Sequence, residues 1–239
     1  MTIRKSVSSA SVVTYLRNCI KKGDLNPDDK LPSEREISER LKTTRVTTRE
    51  GLKQLEAQGL IYRSNRRGWF VTPERINYDP SRAIYFMDYV SEQGQIPFSR
   101  EILKRKIVAD AFLAEAMKID LGEPVVELHR LRGANNRPVY FERIYLREAI
   151  LPGVFDKPLE RSVSRVVRDE YQTDYDKVDL NIIVGSLDEY EAELLQAPAG
   201  YTSIEIQRLS YDQDGHVIEF DVEHWRHDAL QLKVNLSAH

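Results

Sequence analysis

The sequence predicts an α+β protein in two parts. The first is a small helical domain closed by a β-hairpin, and the second is an antiparallel sheet with helices packed on it. Three observations predict this. Apolar residues recur at helical spacing up to about residue 58 and afterwards mostly at the period of two that marks strands. Charge divides at the same point: Met1 to Arg75 holds 16 Lys and Arg against 9 Asp and Glu, while Ile76 to His239 holds 19 against 29. Finally, a unit of strand, short helix and hairpin occurs twice in the second part, around 101–146 and again around 177–225.

The elements follow in order. Val12, Val13, Leu16, Cys19 and Ile20 give a first helix, which Gly23 ends. In "LPSEREISERL", Ser33 and Glu36 have capping-box spacing, so a second, short helix starts there and ends near Lys42, burying Ile37 and Leu41. Thr44 caps a third helix that runs to about Gln58, with Val46, Leu52 and Leu55 on its buried side and Gly59 as its stop. Gly51 inside it weakens the helix or admits another backbone at close range. Leu60 to Tyr62 and "WFVT" are the two strands of a hairpin, and "RSNRRG" is its basic tip. The domains read as 1–72 and 81–239, with 73–80 as linker because "TPERINYDP" has two prolines and no apolar period. In the second domain, "REILKRKIVADA" is a strand and "AFLAEAMKI" a helix. A hairpin follows with "ANNR" at its tip, then a helix over "ERSVSRVVRDEY". The strand "KVDLNIIVGSL", the helix "LDEYEAELLQA" and a hairpin turning at Asp214-Gly215 complete the series. The hairpins align as "VELHRLR" with "IEIQRLS" and "PVYFE" with "VIEFD", placing Arg130 and Arg208 in phase. Alternation in both predicts one buried face and one more polar face.

Composition narrows the function. At 41% hydrophobic and 31% charged residues, 239 in all, the chain has the make-up of a folded soluble protein with two cores. No apolar run approaches the roughly 20 residues of a membrane span, and the N-terminus lacks a signal-peptide core. The single cysteine, Cys19, allows no internal disulfide and no Cys-based metal site, which fits the cytoplasm. Its helical apolar setting favours packing over nucleophilic chemistry. Searches for G-x-S-x-G, H-E-x-x-H, a phosphate loop or a dinucleotide fingerprint find none, and the five histidines form no convincing metal set. No catalytic residue, cofactor or metal is expected. An enzyme acting on a small anion with an attached DNA-binding domain remains the alternative.

A basic domain of about 75 residues built as helix, helix, turn, helix and hairpin describes a winged helix-turn-helix. Such a domain places its third helix in the major groove of double-stranded DNA. "TTRVTTRE" opens that helix with Thr44, Arg45, Thr47, Thr48 and Arg49. Threonine hydroxyls can meet phosphates or base edges, and arginine can bind guanine bidentately. A merely solvated helix face would mix Glu and Lys instead. These residues also resemble a known family. Over about residues 9–72, "LPSEREISERLKTTRVTTREGLKQLEAQGLI" and the wing are similar to the GntR family of bacterial transcription regulators. The resemblance implies operator contacts by Arg35, Thr44, Arg45, Thr47 and Arg49, and by the wing at Gly68 with Arg66 and Arg67 beside it. Lys42 stands where the family usually has glycine, and Arg66-Arg67-Gly68-Trp69-Phe70-Val71 replaces the usual G-x-G-T-F-V. Phe70 matches the family's buried aromatic. Trp69 stands where a small residue is usual, which leaves its role open.

Residues 80–235 resemble the ligand-sensing UTRA domain of the HutC branch of that family, carried by "RLRGANNRPVYFERIYL" and "LSYDQDGHVIEFDVEHWRHDAL". The resemblance implies a chorismate-lyase-like sheet that binds a small effector without converting it. By motif match Arg130, Arg132, Glu142, Ser162 and Glu219 would line the pocket. Arginines at i and i+2 share a strand face and can take an oxyanion, while a carboxylate opposite can take an amine or hydroxyl. A surface role for both arginines is the competing reading. The wing "RRGWFVTPER" resembles regulators of phosphonate use, which would imply 2-aminoethylphosphonate as inducer, with amino-sugar phosphates as competitors. The expected whole is a homodimeric, ligand-responsive regulator, a repressor in the first instance, on a pseudo-palindromic operator. A dimerisation domain without ligand is the bland alternative for the second half.

Overall fold

In the computed structural model, residues 8–64, 67–80, 82 and 85–234 are described. The chain separates into two compact units. One holds Met1–Arg75 with the short pieces Gln196–Pro198 and His227–Ala229, and the other holds the rest.

The first unit contains α1 (Ser9–Lys22), α2 (Glu34–Leu41), α3 (Arg45–Ala57), β1 (Ile61–Ser64) and β2 (Gly68–Val71). Each start and stop has a local cause. Gly23 closes α1 in the left-handed region at φ 77°. Ser33 accepts the Glu36 N–H at 3.2 Å, and Glu36 accepts the Ser33 N–H at 2.7 Å, which completes the capping box of α2. Lys42 takes the left-handed position that ends α2, at φ 52°. Thr44 caps α3 by accepting the Thr47 N–H at 3.1 Å. Val12, Leu16, Ile37, Leu52, Leu55, Ile61 and Trp69 form one core. Gly51 belongs to the close approach of α1. A Cβ there would lie 2.7 Å from Val12 Cβ and 3.0 Å from the Ser9 carbonyl oxygen.

Three expectations for this unit need correction. Val46 is 68% exposed rather than buried, because it shares the solvent side of α3 with Arg45 and Arg49. The hairpin gains a third edge. Leu31 donates its N–H to the Trp69 carbonyl at 2.8 Å, and Val71 donates to the Asp29 carbonyl at 2.9 Å. The first strand starts at Ile61 and runs into the supposed turn as far as Ser64.

The second unit begins with β3 (Ile76–Tyr78), inside the segment expected to be linker. It pairs in parallel with β10 (Leu230–Leu232), so backbone pairing holds residues that lack any apolar period. Then come α4 (Phe86–Glu92), β4 (Pro97–Val108), α5 (Ala111–Met117), β5 (Pro124–Ala134) and β6 (Arg137–Arg147). A 3-10 turn at Val154–Asp156, α6 (Val163–Tyr171), β7 (Lys177–Ser186), α7 (Glu189–Leu194), β8 (Thr202–Tyr211) and β9 (Val217–Arg226) follow. The main sheet has the order β4-β5-β6-β9-β8-β7. It reads the same from either edge once the two repeats are exchanged, with β6 and β9 paired at the centre.

The expected polar face is absent from the first hairpin, whose β5 is buried from Val125 to Ala134. Helices cover both sides of the sheet. Val126, Leu128, Ile144 and Leu146 pack with Val163, Val166 and Val167 of α6 on one side. Val125, Val217 and Phe220 pack with Leu113 and Met117 of α5 on the other. Polar residues on these strands are therefore enclosed, and each needs a partner.

Candidate functional site

Two sites emerge, one in each unit. In the first unit, the N-terminal turn of α3 presents Arg45 to solvent with Thr44, and Thr47 is half-buried beside them. Thr44 and Thr47 hydroxyls lie 2.9 Å apart. Thr48 does not belong to this surface. It is fully buried, and its hydroxyl donates to the Thr44 carbonyl at 3.0 Å, which corrects its assignment as a DNA contact. Arg49 is exposed, but its guanidinium reaches back to Glu34 of α2, with Nη2 2.8 Å and Nε 3.2 Å from the same carboxylate oxygen. That hydrogen-bonded pairing holds the Glu34 carboxyl below its usual range and raises Arg49. Arg35 sits on the outer face of α2, only 3.9 Å from Glu39.

In the wing, Gly68 starts β2 at φ 108°, a conformation side chains avoid. Arg67 is exposed and lies over the Phe70 ring at 5.2 Å, whereas Arg66 lies outside the described residues. Trp69 joins the core between the helices. Phe70 is buried on the opposite face, stacked on Tyr62 at 5.5 Å. The alternation of one strand thus settles where both aromatics go.

The second site lies on the sheet face beneath α4 and α6. Arg130, Arg132, Glu142, Ser162 and Glu219 all line one small chamber of about 80 Å³, so the structure brings together all five residues proposed from the motif. Tyr78, Tyr89, Arg208, Asp221 and Glu223 also line it. Strand register explains the grouping. Arg130 pairs with Glu142, which pairs with Glu223, and in the next row on the same face Asp221 pairs with Arg208. A groove of about 600 Å³ shares Tyr78, Tyr85, Ser164, Arg208 and Glu219 with the chamber.

The arginines are not surface residues. Both are 4% exposed, and each donates its Nε–H to the same Glu142 oxygen at 2.7 Å. Arg130 also donates to the Leu159 carbonyl at 2.7 Å and Arg132 to the Arg161 carbonyl at 3.0 Å, which ties both to the segment leading into α6. A ligand anion would therefore share these guanidiniums with Glu142 instead of finding them free. Burial alone would raise Glu142, but the two arginines outweigh it and hold the carboxyl below its usual range. Ser162 caps α6, accepting the Arg165 N–H at 3.1 Å. Ser162, Val163 and Ser164 at the start of that helix line the chamber, and the first N–H groups of a helix have no intrahelical acceptor.

The second hairpin supplies the residues the motif did not indicate. Arg208 donates to the Tyr78 hydroxyl and lies 3.1 Å from Glu223, and Tyr175 donates to Glu219. Burial pushes the Tyr78 hydroxyl up to about 12, against the pull of Arg208. Burial also raises Glu219, and it raises Asp221 well above the carboxylate range, where Glu223 and Glu142 add to the effect against Arg208. The available signal was the alternation Glu219, Asp221, Glu223 in "EFDVE", together with Arg208 in phase with Arg130. Glu142, Asp221 and Glu223 each place an oxygen within 4.8 Å of the others. Guanidiniums already occupy two of the three, so the set does not suit a metal ion.

Comparison with known proteins agrees with both units. Residues 8–71 match the family described as "Bacterial regulatory proteins, gntR family", and residues 92–231 match the UTRA domain. The chain is 33% identical to the "Uncharacterized HTH-type transcriptional regulator YihL" of Escherichia coli over 91% of this chain and 92% of that one. It is 26% identical to the "Mannosyl-D-glycerate transport/metabolism system repressor MngR" of the same organism over 87% of each. The crystal structure of PhnF from Mycobacterium smegmatis superposes with a TM-score of 0.67 at 25% identity, covering 95% of this chain and all of that one. The chain belongs to the GntR family of bacterial transcription regulators, in the HutC branch that joins a winged helix-turn-helix to a UTRA domain.

Proposed function

We propose that the protein is a cytoplasmic homodimeric repressor that a small anionic effector releases from a pseudo-palindromic operator. The observation that carries the DNA-binding part is the first turn of α3. Arg45 stands exposed there with Thr44, Thr47 adjoining, while the opposite side of the helix forms the core. Basic side chains at the start of a helix suit phosphates and guanine edges. Arg35, Arg67 and Gly68 extend the surface, and Arg49 serves it by fixing α3 against α2 through Glu34. The repressor sense follows the relative MngR, which is a repressor. Operator duplex selected by the wild-type protein from a random pool provides the test. Arg45→Ala should weaken binding by about 1–3 kcal/mol, with an unchanged circular dichroism spectrum. Equal affinity would remove α3 from the groove.

The effector reading rests on the chamber. Arg130, Arg132, Glu142, Ser162 and Glu219 surround it, and the start of α6 lines it. A phosphonate such as 2-aminoethylphosphonate and an amino-sugar phosphate both present an oxyanion to this end. Ligand binding would change operator affinity by a factor that DNA returns to ligand affinity.

The dimer reading rests on β7. It is an edge strand of the main sheet, and Val178, Leu180, Ile182, Ile183 and Val184 are all at least 36% exposed along it. An apolar edge with unpaired backbone groups invites a strand of a second copy, related by a two-fold axis.

A further inference from the structure

We propose that Asp221 recognises an ammonium group, so that the effector is an amine-bearing anion and not an anion alone. This rests on the reading of the chamber as the effector site, and it concerns the end of the chamber that the arginines do not explain.

Asp221 is 2% exposed, and its Oδ1 is buried without a hydrogen-bond partner. Its nearest cation is Arg208, whose Nη1 lies 3.9 Å from the other oxygen, beyond hydrogen-bond range. A buried acid without a hydrogen-bond partner is costly to ionise, so it keeps its proton until a cation pairs with it. The internal repeat shows what is missing. Arg130 pairs across the strands with Glu142, and Arg208 pairs across the strands with Asp221 in the corresponding place. Glu142 is satisfied because a second guanidinium, Arg132, also donates to it at 2.7 Å. The residue corresponding to Arg132 is Ser210, and its hydroxyl is likewise buried without a partner. The second half of the site thus lacks one cation that the first half has.

The other acids of the chamber already have partners. Four acids line it, Glu142, Glu219, Asp221 and Glu223, with four arginines, Arg130, Arg132, Arg208 and the exposed Arg161. Glu219 accepts from Tyr175, and Glu223 accepts the Trp225 indole N–H at 2.5 Å, so Asp221 is the carboxylate left to a visitor. A hydroxyl would supply a hydrogen bond without the charge, whereas an ammonium supplies both. The rings of Tyr78, Phe86 and Tyr89, which line the same chamber, favour a cation. With its oxyanion at the α6 N-terminus and its ammonium at Asp221, the effector is a short zwitterion or an amino sugar carrying a phosphate.

Calorimetry on the full-length protein with matched pairs tests this: 2-aminoethylphosphonate against ethylphosphonate, and glucosamine 6-phosphate against glucose 6-phosphate. In at least one pair the amine-bearing member should bind about tenfold or more tightly. Asp221→Asn should abolish that preference while still binding the des-amino member. Ser210→Arg, which restores the absent guanidinium, should abolish it too. Equal binding within both pairs by the wild type, or a preference kept in Asp221→Asn, overturns the assignment but leaves the anionic pocket standing. Failure of all four compounds to bind overturns both. The wild-type comparison decides even if a variant fails to fold.

Discussion

Thr47 and Thr48 are chemically identical neighbours, yet only Thr47 keeps any exposure to solvent. A helix turns about 100° per residue, so adjacent side chains diverge, and Thr48 spends its hydroxyl on the turn before it. Composition cannot distinguish the two. Lys42 is a residue-scale cost in the same motif, because a side chain in the left-handed region is strained where glycine is not. Lys42→Gly should stabilise the N-terminal unit by about 0.5–1 kcal/mol, read as a higher denaturant midpoint at unchanged slope. Asp221 predicts a pH effect. Its neighbours are Arg208 from β8, Glu142 from β6, and Glu219 and Glu223 from its own strand, with Tyr78 and Tyr89 lining the same chamber. Its folded-state value lies above the unfolded one, so the folded protein holds the extra proton. Its contribution is therefore intact below the ordinary carboxylate range and is lost as pH rises from there towards the raised value. Comparing thermal melts across that window, the ligand-free wild type should lose more stability with rising pH than Asp221→Asn does. Parallel curves would place Asp221 in an ordinary ion pair.

At the scale of elements, Gly51 turns an ambiguous sequence signal into a packing constraint. Alanine should gain up to about 1 kcal/mol in helix propensity, but its methyl would collide with Val12 and the Ser9 carbonyl of α1. Overpacking of this kind costs about 1–3 kcal/mol, so Gly51→Ala should lower the stability of the three-helix core, measurable by denaturation. An unchanged or raised midpoint would mean that α1 yields easily. Helices with local caps were legible from sequence, because Ser33 and Thr44 act within one turn. The repeat was legible too, because each copy carries its own alternation. β3 and β10 were not legible. Each is three residues long, and they are held by pairing between positions 76–78 and 230–232, which no local pattern announces. α4 was missed for a related reason: Phe86, Tyr89 and Val90 are too few to establish a period. The site was half legible. Motif match found the hairpin carrying both arginines and Glu219 of the second hairpin, whereas Asp221 and Glu223 became visible only when register put them on the same face.

At the scale of the whole molecule, the same symmetry that organises the sheet leaves it with unequal edges. β4 is half-covered along its length, whereas β7 is exposed at nearly every residue. Natural edge strands usually carry charges or proline to prevent pairing, and from Leu180 to Val184 this one has none. An antiparallel copy centred on Ile182 would set Leu180 against Val184 and Ile182 against itself, giving a self-complementary apolar strip. Two identical subunits joined in this way would read two half-sites, and the loss of one should cost far more affinity than any single contact. Val184→Lys places a charge on a side chain that is 79% exposed, so the single chain should fold unchanged. It should sediment as a monomer at concentrations where the wild type is a dimer, and its affinity for a two-half-site operator should fall by about tenfold or more while binding to a single half-site stays the same. A Val184→Lys protein that remains dimeric would move the interface away from β7, and a monomer that keeps full operator affinity would separate dimerisation from DNA recognition.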